Sequence, residues 1–147
     1  MAYSSLSVAN AFIELAQNEG KELTNMQLQK LVFFAHGYTL AFLDRPLTSD
    51  EVKAWTFGPV YSVLYNTLKF YGKNPVPESL PGIPEIIKDS DENQIIESVW
   101  NAYKHHTAYQ LSDISHNTGS PWDQVWQNDK FGKIPDNITR EYYKRLI

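Results

Sequence analysis

The sequence predicts a mainly α fold: a compact helical bundle of about six to seven helices, with at most one short two-stranded β element. Three observations lead there. Apolar residues recur at helical spacing in most segments between Gly and Pro breakers. Several of those segments open on Ser or Thr caps and close on Gly. Only residues 51–56 alternate as a strand would, and weakly. The chain has 147 residues, which suits one domain over 1–147, because a split would leave two undersized cores. A composition 42% hydrophobic and 14% aromatic supplies that core and excludes a disordered chain.

The elements follow in order. Val8, Phe12, Leu15 and Ala16 form one stripe of a first helix over 6–19, with Ser5 or Ser7 as cap and Gly20 as stop. Thr24 followed by Gln27 is a capping box for the second helix. Its stripe runs Leu28, Leu31, Val32, Ala35, Tyr38 and Phe42, widened by Phe34, and Gln29 and Lys30 interrupt it and so belong at its edge. Asp44, Arg45 and Pro46 end this helix. After the extended segment 51–56, Phe57, Gly58 and Pro59 read as a sharp turn. Pro59 then takes the first position of a third helix carrying Val60, Leu64, Leu68 and Tyr71, stopped by Gly72. Residues 73–84 hold Pro75, Pro77, Pro81 and Pro84 and read as a surface connection. Ser90 or Asp91 opens a fourth helix with Ile95, Ile96, Val99, Trp100 and Tyr103. A short helix spans about 108–117. Ser120, Pro121 and Asp123 start another, and Thr139 caps a last one with Tyr142, Tyr143 and Leu146. Leu28, Leu31, Val32, Ala35, Trp55, Val60, Leu64 and Trp122 are expected in the core.

The chemistry the residues exclude is broad. The formal net charge of −4, with Lys and Arg scattered, is unlike a direct nucleic-acid binder. There is no Cys, so thiol nucleophiles, disulfides and thiolate metal sites are ruled out. The first twenty residues lack a signal-peptide pattern, and the longest apolar run, Leu31 to Ala35, is too short for a bilayer. A cytoplasmic location without membrane attachment is the expectation. His36, His105, His106 and His116 include no i, i+4 pair that would hold zinc on a helix, and no glycine pattern cradles a phosphate. No metal and no organic cofactor are expected. His116 sits at a helix end, where it can favour the negative pole or bond a carbonyl. Asp113 and His116 at i, i+3 are the nearest approach to a catalytic dyad, and no nucleophile is placed beside them by sequence. Aromatics crowd residues 33–71. Adjacent rings on a helix cannot all face inward, so an exposed aromatic patch is expected there, most plausibly among Phe33, Tyr38, Tyr61, Tyr65, Phe70 and Tyr71.

Three segments then stand out together: LTNMQLQKLVFFAHGYTLAFLDRPL at 23–47, VKAWTFGPVYSVLYNTLKFYG at 52–72, and LSDISHNTGSPWDQVW at 111–126, with VANAFIELA at 8–16 before them. In order and spacing they resemble the Panacea domain of bacterial and phage toxin–antitoxin systems, from about residue 6 to residue 145. The resemblance rests on Leu28, Gln29, Lys30 and Leu31, on Trp55, Gly58, Pro59 and Val60, and on His116, Pro121 and Trp122. It implies a compact, mostly helical fold and a non-enzymatic antitoxin. Such a protein neutralises a protein toxin from a neighbouring gene by direct contact, in settings that include prophages and phage defence. The toxin type is not implied, and homo-oligomerisation stays open. By themselves the motif residues read as architecture. Two other functions stand beside this one: a phage or prophage accessory protein binding a host factor, and a small hydrolase using His116 and Asp113.

Overall fold

A computed structural model describes residues 2–147. Among them are seven α-helices and one two-stranded antiparallel sheet, so the chain is mainly α as the sequence predicts. None of these helices is long and apolar enough to cross a membrane.

Helix α1, Ser5–Asn18, buries Val8, Ala9, Phe12, Ile13 and Ala16. Its cap is Ser4, one residue before the expected position, whose Oγ accepts from Leu6 N at 3.1 Å. Ser5 instead ties α1 to the chain beyond the next helix, because its N and Oγ donate to the Asp50 carboxylate at 2.7 and 2.6 Å.

Helix α2, Asn25–Leu43, opens on the predicted Thr24–Gln27 capping box and runs through the centre of the molecule. It packs on α1 and on the later helices described below, so it is buried on nearly all sides. That overturns the expectation for Gln29 and Lys30, which lie under the sheet rather than at a solvated edge. The far end departs from the predicted stripe as well. Phe42 is 59% exposed, and Asp44 closes the helix in the left-handed region at φ 55°. Within α2, a Cβ on Gly37 would collide with the ring of Tyr143, so the missing side chain is what lets the last helix dock.

Strands β1, Val52–Trp55, and β2, Gly58–Tyr61, pair with Trp55 opposite Gly58 and Val52 opposite Tyr61, leaving Thr56 and Phe57 as the tip. Here the sequence reading is corrected: Pro59 lies inside β2 and does not open a helix. A proline's missing N–H is as harmless on the outer edge of a strand as at a helix start, so the local signal fits both. Helix α3, Ser62–Leu68, begins after Tyr61 and continues into a 3-10 turn, Lys69–Tyr71, that stops at Gly72 as predicted. The other edge of β1 is covered by 131–134 through Ala54 N to Gly132 O, Phe131 N to Ala54 O and Ile134 N to Val52 O. Neither strand is left open for further pairing.

Helices α4, Asp91–Tyr103, α5, Ala108–Ser115, and α6, Pro121–Asn128, start on Ser90, Thr107 and Ser120, each accepting from the third residue along. Helix α7, Asp136–Leu146, starts three residues before Thr139, which is buried within it and donates to Pro135 O at 3.1 Å instead of capping. His36 of α2 joins three of these parts. Its Nδ1 accepts from Leu47 N and Thr48 N at 3.2 Å each, which places its proton on Nε2, 2.9 Å from Asp136 Oδ1. That contact holds the Asp136 carboxyl below its usual range.

Candidate functional site

The residues singled out by motif converge on the hairpin. Lys30 Nζ donates to Pro59 O at 3.1 Å. Gln29 takes the place of a third strand beside Tyr61: its Oε1 accepts Tyr61 N at 2.8 Å, and its Nε2 donates to Tyr61 O at 3.4 Å and to Asn25 Oδ1 at 3.1 Å. On the far side of the tip, Ser112 Oγ of α5 donates to Phe57 O at 2.8 Å and Trp122 Nε1 of α6 donates to Trp55 O at 2.6 Å. The indole therefore spans α6 and β1, and Trp122 is buried as expected. Three helices thus hold the backbone of residues 55, 57, 59 and 61 with side-chain donors. Beyond the ladder itself, these side chains supply hydrogen-bond partners to the hairpin backbone.

The approach is close enough to dictate one glycine. A Cβ on Gly58 would lie 2.5 Å from Ser115 Oγ and 2.9 Å from Lys30 Cε, and Gly58 stands at φ 118°, where L side chains are strained. Ser115 Oγ in turn donates to Ser112 O at 2.6 Å.

The electrostatics of this cluster are unusual. Lys30 is 1% exposed and no carboxylate forms an ion pair with it among the described residues. Burial pushes its amine down to about 7. His116, at the C-terminal cap of α5, stacks on Trp122 with ring centroids 4.2 Å apart. Burial, then the Lys30 charge, hold its imidazole below the usual range, against a smaller opposing pull from Asp113. His116 Nε2 is enclosed and has no hydrogen-bond partner. Asp113 is exposed and makes no hydrogen bond to it. The two serine hydroxyls both donate to carbonyls, so neither is hydrogen-bonded to a general base, as an activated nucleophile would be. No group of three or more His, Asp or Glu among the described residues gathers as metal ligands would. These contacts hold the hairpin backbone in place.

Above this clamp the surface is aromatic. Phe57 projects from the tip, 62% exposed, while its own carbonyl is fixed by Ser112. Trp55, expected in the core, is half-buried instead and packs edge-on against Tyr65 of α3 at 5.0 Å. Phe70 is 76% exposed and stacks beside half-buried Tyr71 at 4.1 Å. Of the six aromatics expected at the surface, Tyr65 and Phe70 are exposed. Phe33 and Tyr61 are corrections: both are buried, Phe33 against Tyr143 and Tyr61 with its hydroxyl 2.9 Å from Thr48 Oγ1. Tyr38 is half-buried and belongs to a separate cluster with Phe42, Tyr103 and Tyr143. The sequence reading missed Phe57, and Tyr109 of α5 and Phe131 after α6, which are also exposed. The signal for Phe57 lies in its place in the two-residue turn once residues 58–61 are read as the second strand.

A cleft of about 380 Å³ between α1, the 79–88 segment and α4 contains no residue of the hairpin or its clamp.

Two comparisons bear on this arrangement. Residues 28–123 match the family described as "Antitoxin SocA-like, Panacea domain". The matched span contains the hairpin and each side chain that clamps it. The chain is also 34% identical to the protein named Antitoxin SocA of Caulobacter vibrioides (strain NA1000 / CB15N) over 128 residues, covering 81% of this chain and 68% of that protein. No solved structure matches.

Proposed function

Since this chain belongs to the SocA-like Panacea-domain antitoxin family, we propose that it neutralises a protein toxin by binding it directly, in the cytoplasm and without catalysis of its own. We take the contact surface to be centred on the β1–β2 tip. One observation carries this reading: donors from α2, α5 and α6 fix the hairpin backbone while the Phe57 ring is left in solvent. A large apolar side chain on a rigid tip loses little conformational freedom when a partner covers it, which is the economy that interface anchors share. Tyr65, Trp55 and Phe70 extend the surface along α3. The neutralising effect comes from occluding the toxin or holding it in an inactive state.

The test is co-expression with the protein encoded by the adjoining gene, scoring growth rescue and co-purification. Phe57→Ala is expected to fold normally, to weaken binding by about 2 kcal/mol or more, roughly thirtyfold, and to lose rescue. His116→Ala and Asp113→Ala are expected to bind the partner as the parent does whenever they fold. If either removed protection while folding and partner binding survived, occlusion would be wrong and an enzymatic antitoxin would be the better account.

A further inference from the structure

The charge on this chain is segregated. Between Glu51 and Glu78 there is no Asp or Glu at all, while Lys53, Lys69 and Lys73 fall in that interval. The following stretch to Glu97 carries Glu78, Glu85, Asp89, Asp91, Glu92 and Glu97 against Lys88. The acid-free interval is the β1–β2 hairpin, α3 and its 3-10 turn, the same elements that expose Phe57, Val63, Tyr65 and Phe70.

Their geometry gathers these groups. Burial alternates along β1, so Lys53 and Trp55 share its outer face while Val52 and Ala54 point inward. Trp55 meets Tyr65 at 5.0 Å, joining the strand face to α3. On α3 and its continuation, Tyr65 and Lys69 lie about one turn apart on the solvent side, exposed Phe70 adjoins Lys69, and Lys73 follows beyond Gly72. The segments bordering β1 are balanced: Glu51 and Asp129 stand against Lys130 and Lys133, and Lys133 lies 3.7 Å from Glu51. Exposed Asp113 of α5 lies close enough to His116 to oppose the lowering of its imidazole. The face is therefore positive on a protein of net charge −4.

Resting on the direct-binding reading above, we propose that the partner presents an acidic surface around an apolar centre to this face. Carboxylates would pair with Lys53, Lys69 and Lys73, and the apolar centre would cover Phe57, Tyr65 and Phe70. Charge complementarity of this kind steers encounter and selects partners. A nucleic acid is disfavoured as occupant, because the face holds three lysines and no arginine within an acidic chain. A toxin whose working surface is a basic nucleic-acid groove would on this account be held elsewhere than in that groove.

The experiment measures association of the full chain with the purified product of the adjoining gene at low and moderate salt. The variants are Lys69→Glu/Lys73→Glu, both at exposed positions, and Glu97→Lys in the α1–α4 cleft as a charge reversal on a different face. The lysine reversal is expected to slow association at least tenfold at low salt and to flatten its salt dependence, with an unchanged circular dichroism spectrum. Glu97→Lys is expected to leave the rate within twofold. If the parent binds and the lysine reversal leaves or raises the rate, the acidic-partner inference is overturned while direct binding stands. If a labelled single-stranded or duplex oligonucleotide binds through the same lysines and displaces the protein partner, the face belongs to nucleic acid. If the parent does not bind the adjoining product, the direct-binding reading fails and this inference fails with it.

Discussion

Replacing Lys30 by Met tests whether the clamp beneath the hairpin is as dry as the structure makes it. The Lys30 amine is lowered from its ordinary 10.5 to about 7 by burial. In the unfolded chain it keeps its proton up to about 10.5, so folding releases a proton across the interval between those values. The unfolded state then binds more protons, and stability must rise with pH from about 7 to about 10.5. The full contribution is about 5 kcal/mol, of which about 2 kcal/mol falls between pH 7 and pH 9. Below pH 7 the amine is charged in both states and the burial penalty is present in full.

Met retains much of the volume and has no proton to lose, so this slope should vanish in Lys30→Met. A second effect is independent of pH: the Pro59 carbonyl loses its donor, costing about 1–3 kcal/mol. The other shifted groups act outside the range from pH 7 to pH 9. His116 sits below its usual 6.5, so the stability it contributes is present above 6.5 and lost as pH falls. Tyr61, Tyr103 and Tyr143 are raised by burial, so their contribution is present below pH 10 and lost as pH rises beyond it. Urea unfolding followed by tryptophan fluorescence at pH 7, 8 and 9 isolates Lys30. The stability of the parent relative to Lys30→Met should grow by about 2 kcal/mol over that range. Parallel curves, agreeing within about 0.5 kcal/mol, would refute a buried amine without a counter-charge.

Gly58→Ala should lower stability by roughly 2 kcal/mol or more, because the methyl meets Ser115 Oγ at 2.5 Å at a φ of 118°; an unchanged melting temperature would mean the hairpin sits further from α2 and α5. Trp122→Phe keeps an aromatic ring but leaves Trp55 O without its indole donor, and is expected to cost about 1–3 kcal/mol in urea unfolding. Leu31→Ala removes a fully enclosed side chain of α2 and should cost roughly 2–5 kcal/mol; a loss under about 0.5 kcal/mol, the scale of surface changes, would contradict the central position of that helix.

Which features were legible in the sequence follows from the range of the forces involved. The Thr24–Gln27 box, the Ser120–Pro121 start and the Gly72 stop are satisfied within a few residues of themselves, so their spacing alone identified them. The second strand was not legible, because Gly58 and Pro59 fit a helix start equally well. What decides for a strand is Gln29, far back along the chain, offering its amide to Tyr61. Lys30 fails for the same reason. An ammonium on an apolar helix reads as an edge residue unless one knows that a strand carbonyl waits above it. The aromatics were misassigned where tertiary packing decides: Phe33 and Phe57 are equally apolar, yet one lies under α7 and the other on a tip.

The residues carrying the family resemblance meet the hairpin in a particular way. Lys30, Gln29 and Trp122, joined by Ser112, which the sequence reading did not single out, contact backbone atoms of residues 55 to 61, and none of these hydrogen bonds involves the outward side chains. At the turn itself, Gly58 is constrained through its lack of a side chain. A clamp on the backbone holds the loop without specifying what Thr56 and Phe57 display. The exposed positions are free to change while the hairpin stays fixed, since surface substitutions away from special features shift stability by no more than about 0.5 kcal/mol. The architecture thus separates two requirements. The motif secures the hairpin backbone, and the exposed rings and lysines around it take no part in that clamp. The family match spans this scaffold, and under the direct binding proposed above the choice of partner would rest on the exposed Phe57, Tyr65 and Phe70 and the lysines beside them.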